Sequence, residues 1–380
     1  MITGIICEYN PLHLGHKKQL DAVRSLDPDG FIVCLMSGNF VQRGKPAIFD
    51  KAIRAKAAIL SGADLVLELP ITYSLSSAEG FAAGAVSILG SFCDRLCFGA
   101  ETADQDTLMQ IANALLSDSF QTHLHCQLEQ GLSFPTARQA ALQDMGLDAR
   151  LLSMPNNILA VEYCKAIISQ NSKMKPMVIL RQGDYHDPAP DQDNPSATSL
   201  RAMIEAKSSW QDYVPAEAVS CFDNANIHTI ENGERAILTR LRTMSDAAFE
   251  ALPYGSEGLW RKLMHACRKY ATLDEILAAV KSKRYTRTRL DRMVMCAFLG
   301  LTQEDLLMPA PYVRVLALSS KGRQALKVAR QTGTFLNIGQ SIDHPFYQIE
   351  LQTTSLYGLF SQTIESPTAE SDYRVFCHQK

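Results

Sequence analysis

Long apolar runs are missing from this 380-residue sequence, and no hydrophobic stretch is long enough to cross a bilayer as a helix. The first residues, Met1 to Glu8, lack a basic leader and reach a glutamate too early for a signal peptide. A cytoplasmic protein with no membrane partner is therefore expected. Paired cysteines are missing as well. The ten cysteines are scattered, several within apolar segments (Cys34, Cys164, Cys296), and a reducing compartment would keep them as thiols. The local clusters, Cys93 with Cys97 and His123, His125 with Cys126, lack zinc spacing, so no protein metal site is predicted. Net charge is only −3, which taken alone argues against a nucleic-acid partner. Its distribution argues the other way. Residues 254–330 hold fifteen Lys/Arg against six Asp/Glu, a charge of +9 that leaves −12 on the rest of the chain. A basic region on an acidic protein marks a polyanion partner.

The most informative stretch lies at the start. Residues 2–7, ITGIIC, are an uncharged run of the kind found in a strand covered on both faces. Asn10-Pro11 ends it, because proline fixes its own φ and steers the preceding residue away from helix. Beyond His16, Leu20, Val23 and Leu26 recur at helical spacing among Lys17, Lys18, Asp21 and Arg24, so a helix starts close to Gly15-His16. Strand, Asn-Pro, His13-x-Gly15-His16 and helix together predict a phosphate site. A helix N-terminus offers backbone N–H groups and a positive dipole end, Gly15 would let a phosphate approach, and two imidazoles would add donors. The plainer readings are a structural histidine or a metal pair. The first histidine precedes the helix, however, so the two do not share a helical face as zinc ligands would.

Four further strands, residues 31–36, 64–70, 95–101 and 176–180, alternate with helices. This predicts an α/β fold with a Rossmann-like, doubly wound parallel sheet and candidate groups at the strand C-terminal ends. Arg43 and Lys45 follow the second strand, as ligand contacts or as solvated loop charges. Asp50 should cap the helix 51–60, and Ser61-Gly62 should end it. Gly99 lies against a base or ribose, or is a turn glycine. Residues 104–145 read as helices only, an insertion or a lid. Pro155, Asn156 and Asn157 start a helix at which one amide can cap, leaving the other for a ligand. The fifth strand ends at Arg181, just before Gln182-Gly183-Asp184-Tyr185-His186. Ser196, Thr198, Ser199 and Arg201 gather at another helix start and suit an anion, although capping explains two of the hydroxyls.

Near residue 206 the character becomes helical. Residues 281–292, KSKRYTRTRLDR, bring cations, hydroxyls and Tyr285 together. Such a set can position a nucleic-acid backbone and stack on a base, or it is a solvated helix face with an Arg287 to Asp291 pair. A strand is expected at 312–318 and a helix at 324–330, with a mixed tail that the pattern does not place.

Taken in order, several segments resemble the bacterial tRNA(Met) cytidine acetate ligase family of the HxGH nucleotidyltransferase superfamily. They are Glu8 to His16, the loop from Ser37 to Ala47, Phe98-Gly99-Ala100-Glu101, Pro155 to Leu159 and the basic run 281–292. HxGH alone would indicate only the superfamily. The resemblance implies residues 1–205 as a nucleotidyltransferase-like ATP-binding domain and residues 206–380 as a mainly helical, basic, tRNA-binding domain. It implies a ligase that activates acetate with ATP as acetyl-adenylate, then acetylates N4 of the wobble cytidine of elongator tRNA(Met). Mg²⁺ is an expected companion of ATP.

Residue by residue, the resemblance carries an ATP loop onto Cys7, Glu8, Tyr9, Asn10, Pro11, Leu12, His13, Leu14, Gly15, His16, Lys17, Lys18, Gln19 and Leu20. It adds ATP contacts at Gly99, at Asn156 or Asn157, and at Arg181. His13 and His16 are the implied catalytic residues, with Arg201 as a further phosphate contact. Leu12 and Leu14 stand where relatives often have Phe and Asn, a change that leaves both histidines and Gly15 intact. Two other readings remain open to the sequence: a small-molecule adenylyltransferase, and a tRNA- or ribosome-binding protein with a regulatory nucleotide site.

Overall fold

The computed structural model describes residues 1–181, 195–367 and 373–379. The chain opens with strand β1 (Ile2–Cys7), helix α1 (Leu14–Leu26) and strand β2 (Phe31–Ser37). The segment expected to be a loop after β2 is a small antiparallel hairpin, β3 (Phe40–Val41) and β4 (Lys45–Pro46), with Phe40 opposite Pro46. Helix α2 (Lys51–Leu60) follows, with Asp50 accepting from the Ala52 N–H at 2.7 Å as its expected cap. Then come β5 (Leu65–Leu69), the short α3 (Ile71–Ser74), α4 (Ala78–Leu89) and β6 (Arg95–Ala100). The strandless insertion is three helices, α5 (Gln105–Leu115), α6 (Asp118–Glu129) and α7 (Phe134–Asp144), after which α8 (Pro155–Ser169) leads into β7 (Lys175–Leu180) and then α9 (Ala197–Glu205).

The sheet runs β7, β6, β1, β2, β5, and all of these neighbours are parallel. From β1 the chain first builds outward through β2 to β5 and then returns to the other side through β6 and β7. The order reverses between β1 and β6, and in open α/β sheets ligands bind in the crevice at such a reversal, beyond the strand C-termini. Alternate residues of each strand serve opposite faces. Val33 and Leu35 pack with α4, α5 and α8 in one core, while Ile32, Cys34 and Met36 pack with α1, α2 and α9 in the other.

The second half is helical up to residue 307: α10 (Ala216–Phe222), α11 (Ile230–Thr243), α12 (Asp246–Glu250), α13 (Leu259–Lys269), α14 (Leu273–Val280), α15 (Arg287–Leu299) and α16 (Gln303–Leu307). Of these, α11 to α15 share a third core around Ile237, Leu263, Ile276 and Leu290. The chain then returns to the sheet. Strand β8 (Val313–Ser319) pairs antiparallel with β5, α17 (Gly322–Ala329) follows, and β9 (Phe335–Asn337) and β10 (Phe376–His378) pair parallel with β8 on either side of α18 (Pro345–Tyr357). The sheet is therefore mixed rather than wholly parallel, and residues from beyond 205 complete it. Without β8, the fully buried β5 would present an open hydrogen-bonding edge.

The two halves meet at the hairpin. Phe40 packs edge-on against Tyr357 and Phe360 in the helical core. Gly44 takes φ +72°, and a Cβ there would lie 2.4 Å from the Arg292 backbone nitrogen, so the hairpin tip sits directly on the backbone of α15.

Candidate active site

His13 is the N-cap of α1, and its side chain is part of the helix start. Its Nδ1 accepts from the Gly15 N–H at 3.1 Å, and His16 Nδ1 accepts in return from the His13 N–H at 3.3 Å. This is a capping box built from two imidazoles in place of a hydroxyl and a carboxylate. The rings stack with centroids 3.7 Å apart, and the edge of Tyr9 meets His16 at 4.9 Å. With both Nδ1 atoms accepting, each neutral ring carries its proton on Nε2 and offers it as a donor. Burial, followed by the neighbouring His16, Arg181 and Arg201, holds His13 well below the usual histidine range. Burial and then Arg181 lower His16 to about 3. Both rings are thus neutral near pH 7.

This changes the part expected of the helix start. The N–H groups of His13 and Gly15 are taken up by the imidazoles, and that of His16 by the His13 carbonyl at 2.9 Å. The Leu14 N–H forms no hydrogen bond among the described residues, so the donors left to meet an anion at the helix start are that N–H and the imidazole Nε2–H groups. Gly15 likewise serves the ring first, since a Cβ there would lie 3.0 Å from His13 Cε1.

The rest of the predicted loop divides into scaffold and lip. Tyr9, Pro11, Leu12 and Leu20 are buried, so their side chains belong to the core and only their backbone is available to a ligand. Asn10 is buried too, its Oδ1 accepting from the Ile48 N–H at 2.7 Å and its carbonyl accepting from Arg201 at 2.7 Å. Glu8 accepts from the Gln42 N–H at 2.9 Å and so ties the loop to the hairpin. Burial pushes the Cys7 thiol well up, which makes it a neutral wall rather than a nucleophile. Lys17 pairs with Asp21 at 2.5 Å, Gln19 donates to Cys97 Sγ at 3.6 Å, Leu14 is half-buried and Lys18 is exposed.

Across the crevice, β6 and α8 supply the other predicted contacts. Neither asparagine caps α8. The Glu101 carboxylate does so, accepting from the Asn156 N–H at 3.3 Å, the Asn157 N–H at 2.8 Å and Asn156 Nδ2 at 2.7 Å. Buried Asn157 accepts from the Thr102 N–H at 3.1 Å, while Asn156 Oδ1 accepts from Arg181 at 3.4 Å. Gly99 makes room for an arginine: a Cβ there would lie 2.8 Å from Arg181 Cγ. Gly99, Asn156 and Arg181 therefore form one contact set, and Asn157 is scaffold. Residues 182–186 lie outside the described residues. At α9, Ser196 caps the helix through the Ser199 N–H at 3.0 Å, and Arg201 reaches Thr198 Oγ1 at 3.1 Å as well as the loop.

Sequence reasoning missed Glu101 as a cap and missed Arg54 altogether. Arg54 is fully buried on α2 and donates to Phe49 O at 2.8 Å, Glu8 O at 2.6 Å, Ser37 O at 3.1 Å and Gly38 O. One guanidinium thus fixes the ends of β1 and β2 together. Charge-assisted bonds of roughly 1.5–3 kcal/mol each offset a desolvation cost of several kcal/mol, and so a cation is stable there. The available signal was its position on the alanine-rich buried stripe with Ala55, Ala57 and Ala58.

In the basic run 281–292 the structure shows the second of the two readings, a helix face with an Arg287–Asp291 pair. Tyr285 is buried and cannot stack on a base. Arg284 pairs with Glu257 at 2.7 Å, Arg287 with Asp274 at 2.8 Å and Asp291 at 3.0 Å, and Arg289 holds the Tyr254 carbonyl at 2.8 Å. Arg292 is buried over the Tyr254 ring. Apart from the i,i+4 pair with Asp291, the partners of these arginines are brought close by folding. Among the described residues, no group of three His, Cys, Asp or Glu side chains is placed to hold a metal ion, and no helix is long and apolar enough to cross a membrane.

The sequence profile described as HIGH Nucleotidyl Transferase matches residues 1–372. A tRNA(Met) cytidine acetate ligase of Clostridium acetobutylicum is 35% identical over 387 aligned positions, covering 96% of each chain. That of Clostridium tetani is 36% identical over 390 positions, again covering 96% of each. Among solved structures, Thermotoga maritima TmcAL in its apo form superposes with a TM-score of 0.91 at 28% identity over the whole of both chains. The same protein bound with alpha-thio ATP gives 0.88 at 27% identity, also over the whole of both chains.

Proposed function

Because this chain belongs to the HIGH nucleotidyl transferase family, and within it to the tRNA(Met) cytidine acetate ligases, we propose that its crevice between β1 and β6 adenylates acetate with ATP. The observation that carries this reading is the stacked His13–His16 pair, neutral and fixed with both Nε2–H groups as donors at the strand end where a nucleotide binds.

Acetate is already ionised at neutral pH, so its attack on the α-phosphate needs no general base. A carboxylate oxygen forms a bond to the α-phosphorus, the bond to the bridging oxygen breaks, and pyrophosphate leaves with the electron pair. What the protein supplies is position and compensation for charge on the phosphate oxygens. His13 and His16 give hydrogen bonds without a proton to lose. Arg181, steadied by Asn156 over Gly99, and Arg201 give positive charge from the two walls. Mg²⁺ entering with ATP would be carried by phosphate oxygens and water, as this ion commonly is, since no protein cage of acidic and histidine ligands is at hand among the described residues.

The weakly nucleophilic N4 amine of the wobble cytidine of elongator tRNA(Met) then attacks the acetyl carbonyl of the mixed anhydride. AMP leaves and the amine loses a proton. We assign adenylation to residues 1–205 and tRNA binding to the basic helices within 206–380, in the cytoplasm where both substrates are found. The test is exchange of labelled pyrophosphate into ATP. Exchange should require acetate and no tRNA, and labelled acetate should enter tRNA(Met) only with ATP, at a single cytidine by mass analysis. Absence of exchange with acetate or any other small acid would overturn the reading.

A further inference from the structure

Helix α13 buries Leu259, Leu263, Met264, Ala266 and Cys267 in the helical core, which turns Arg261, Lys262, His265 and Lys269 outward. Arg261, Lys262 and Lys269 form no ion pair among the described residues. Each instead rests near an aromatic ring: Arg261 at 4.9 Å from Trp260, Lys262 at 5.7 Å from Tyr285 and Lys269 at 5.3 Å from Tyr270. Through Tyr285 the patch continues onto the α14–α15 connection, where Lys281 and Lys283 are exposed and likewise make no ion pair among the described residues. The neighbouring arginines 284 and 287 are exposed but ion-paired, and Arg289 holds the Tyr254 carbonyl.

We propose that this face of α13, extended by Lys281 and Lys283, is the surface that binds the tRNA phosphate backbone. The inference rests on the function proposed above and adds where the RNA lies. From Arg261 to Lys269 the helix rises about 12 Å, enough to reach more than one phosphate of an RNA strand. Long side chains held against rings keep their charged ends toward solvent and lose less freedom on binding. The chemistry favours a polyanion, because the cations outnumber the carboxylates at this face, Asp246 being taken by Arg268 and Glu257 by Arg284 and the Tyr285 hydroxyl.

The test is the triple substitution Arg261→Gln, Lys262→Gln and Lys269→Gln, with tRNA binding measured across a salt series and folding checked by thermal melting. Three lost phosphate contacts should weaken binding about tenfold or more at moderate salt and lower the slope of log affinity against log salt by about two to three. The charge-keeping triple Arg261→Lys, Lys262→Arg and Lys269→Arg should retain the wild-type slope. A folded neutral triple variant with wild-type affinity and slope overturns the surface alone. Wild-type protein that binds no tRNA, or performs no acetate-dependent exchange, overturns the function on which the surface rests.

Discussion

The loop of residues 7–20 and the basic run of residues 281–292 both carry clustered polar side chains in the sequence, yet folding treats them in opposite ways. In the first, the polar groups are held by their own near neighbours: His13 by Gly15, His16 by His13, both within one turn of helix. In the second, apart from the Arg287–Asp291 pair four residues apart, the partners come from 13 to 35 residues away, as Asp274 does for Arg287 and the Tyr254 carbonyl for Arg289. The contrast teaches that a motif whose geometry is local survives folding as a motif. A charge count does not, because a cation remains available only if no carboxylate or carbonyl is folded against it.

The sharpest way to break the comparison is His16→Ala. It removes one Nε2–H donor and one arm of the capping box, and acetate-dependent exchange should fall by about a hundredfold or more, the scale of a lost transition-state donor. Affinity for tRNA should change by less than about twofold, because the α13 surface lies in the other half. Equal losses in both measurements would show that the two regions are not separable.

A smaller effect concerns pH. Both imidazoles are held neutral in the folded protein, His16 down to about 3, whereas in the unfolded chain they take up protons below about pH 6.5. The unfolded state then binds more protons, so stability rises with pH and is lost as pH falls from about 6.5 toward the folded value. The loss is at most about 1.4 kcal/mol per pH unit and imidazole. Urea unfolding at pH 7, 6 and 5 should show this slope, and His16→Gln should flatten it. An unchanged slope in that variant would mean that His16 is protonated when folded.

The smallest effect is expected from Arg284→Ala, Arg287→Ala and Arg289→Ala combined. The sequence left this run open as a nucleic-acid contact or a solvated helix face. With Arg284 and Arg287 already paired with carboxylates and Arg289 with the Tyr254 carbonyl, affinity should fall less than about threefold, against about tenfold or more for the α13 set. The exposed ion pairs lost with them are worth roughly 0–1 kcal/mol each, so the urea midpoint should shift little. A larger loss than that of the α13 variant would return the RNA to the run itself.

Strand positions were legible because buried parallel strands read as apolar runs, and the helix ends because Asp50, Ser61-Gly62 and Pro155 act locally. The hairpin at Phe40 to Pro46 was not legible, as its two short strands are stabilised by Phe40 docking on Phe360 in a distant core. Nor was the return of β8 to the sheet: a strand can be read from its residues, but its partner β5 is chosen by which edge needs covering. At the site, the strand-to-helix junction carrying His13, Gly15 and His16 was legible. Glu101 and Arg54 were not, since what they bond to are backbone groups that no side-chain pattern announces.

By itself the sequence determined the periodic elements, the strand-to-helix junction with its two histidines and the segregation of positive charge into residues 254–330. Each depends on residues close together in the chain, where backbone geometry and spacing leave few alternatives. Only the tertiary structure decided that burial holds both imidazoles neutral, and that Arg181 lies over Gly99. It also decided that Arg284, Arg287 and Arg289 have partners, whereas Arg261, Lys262 and Lys269 on α13 form no ion pair among the described residues. Those outcomes turn on burial and on partners distant in sequence, and both are properties of the packed chain alone.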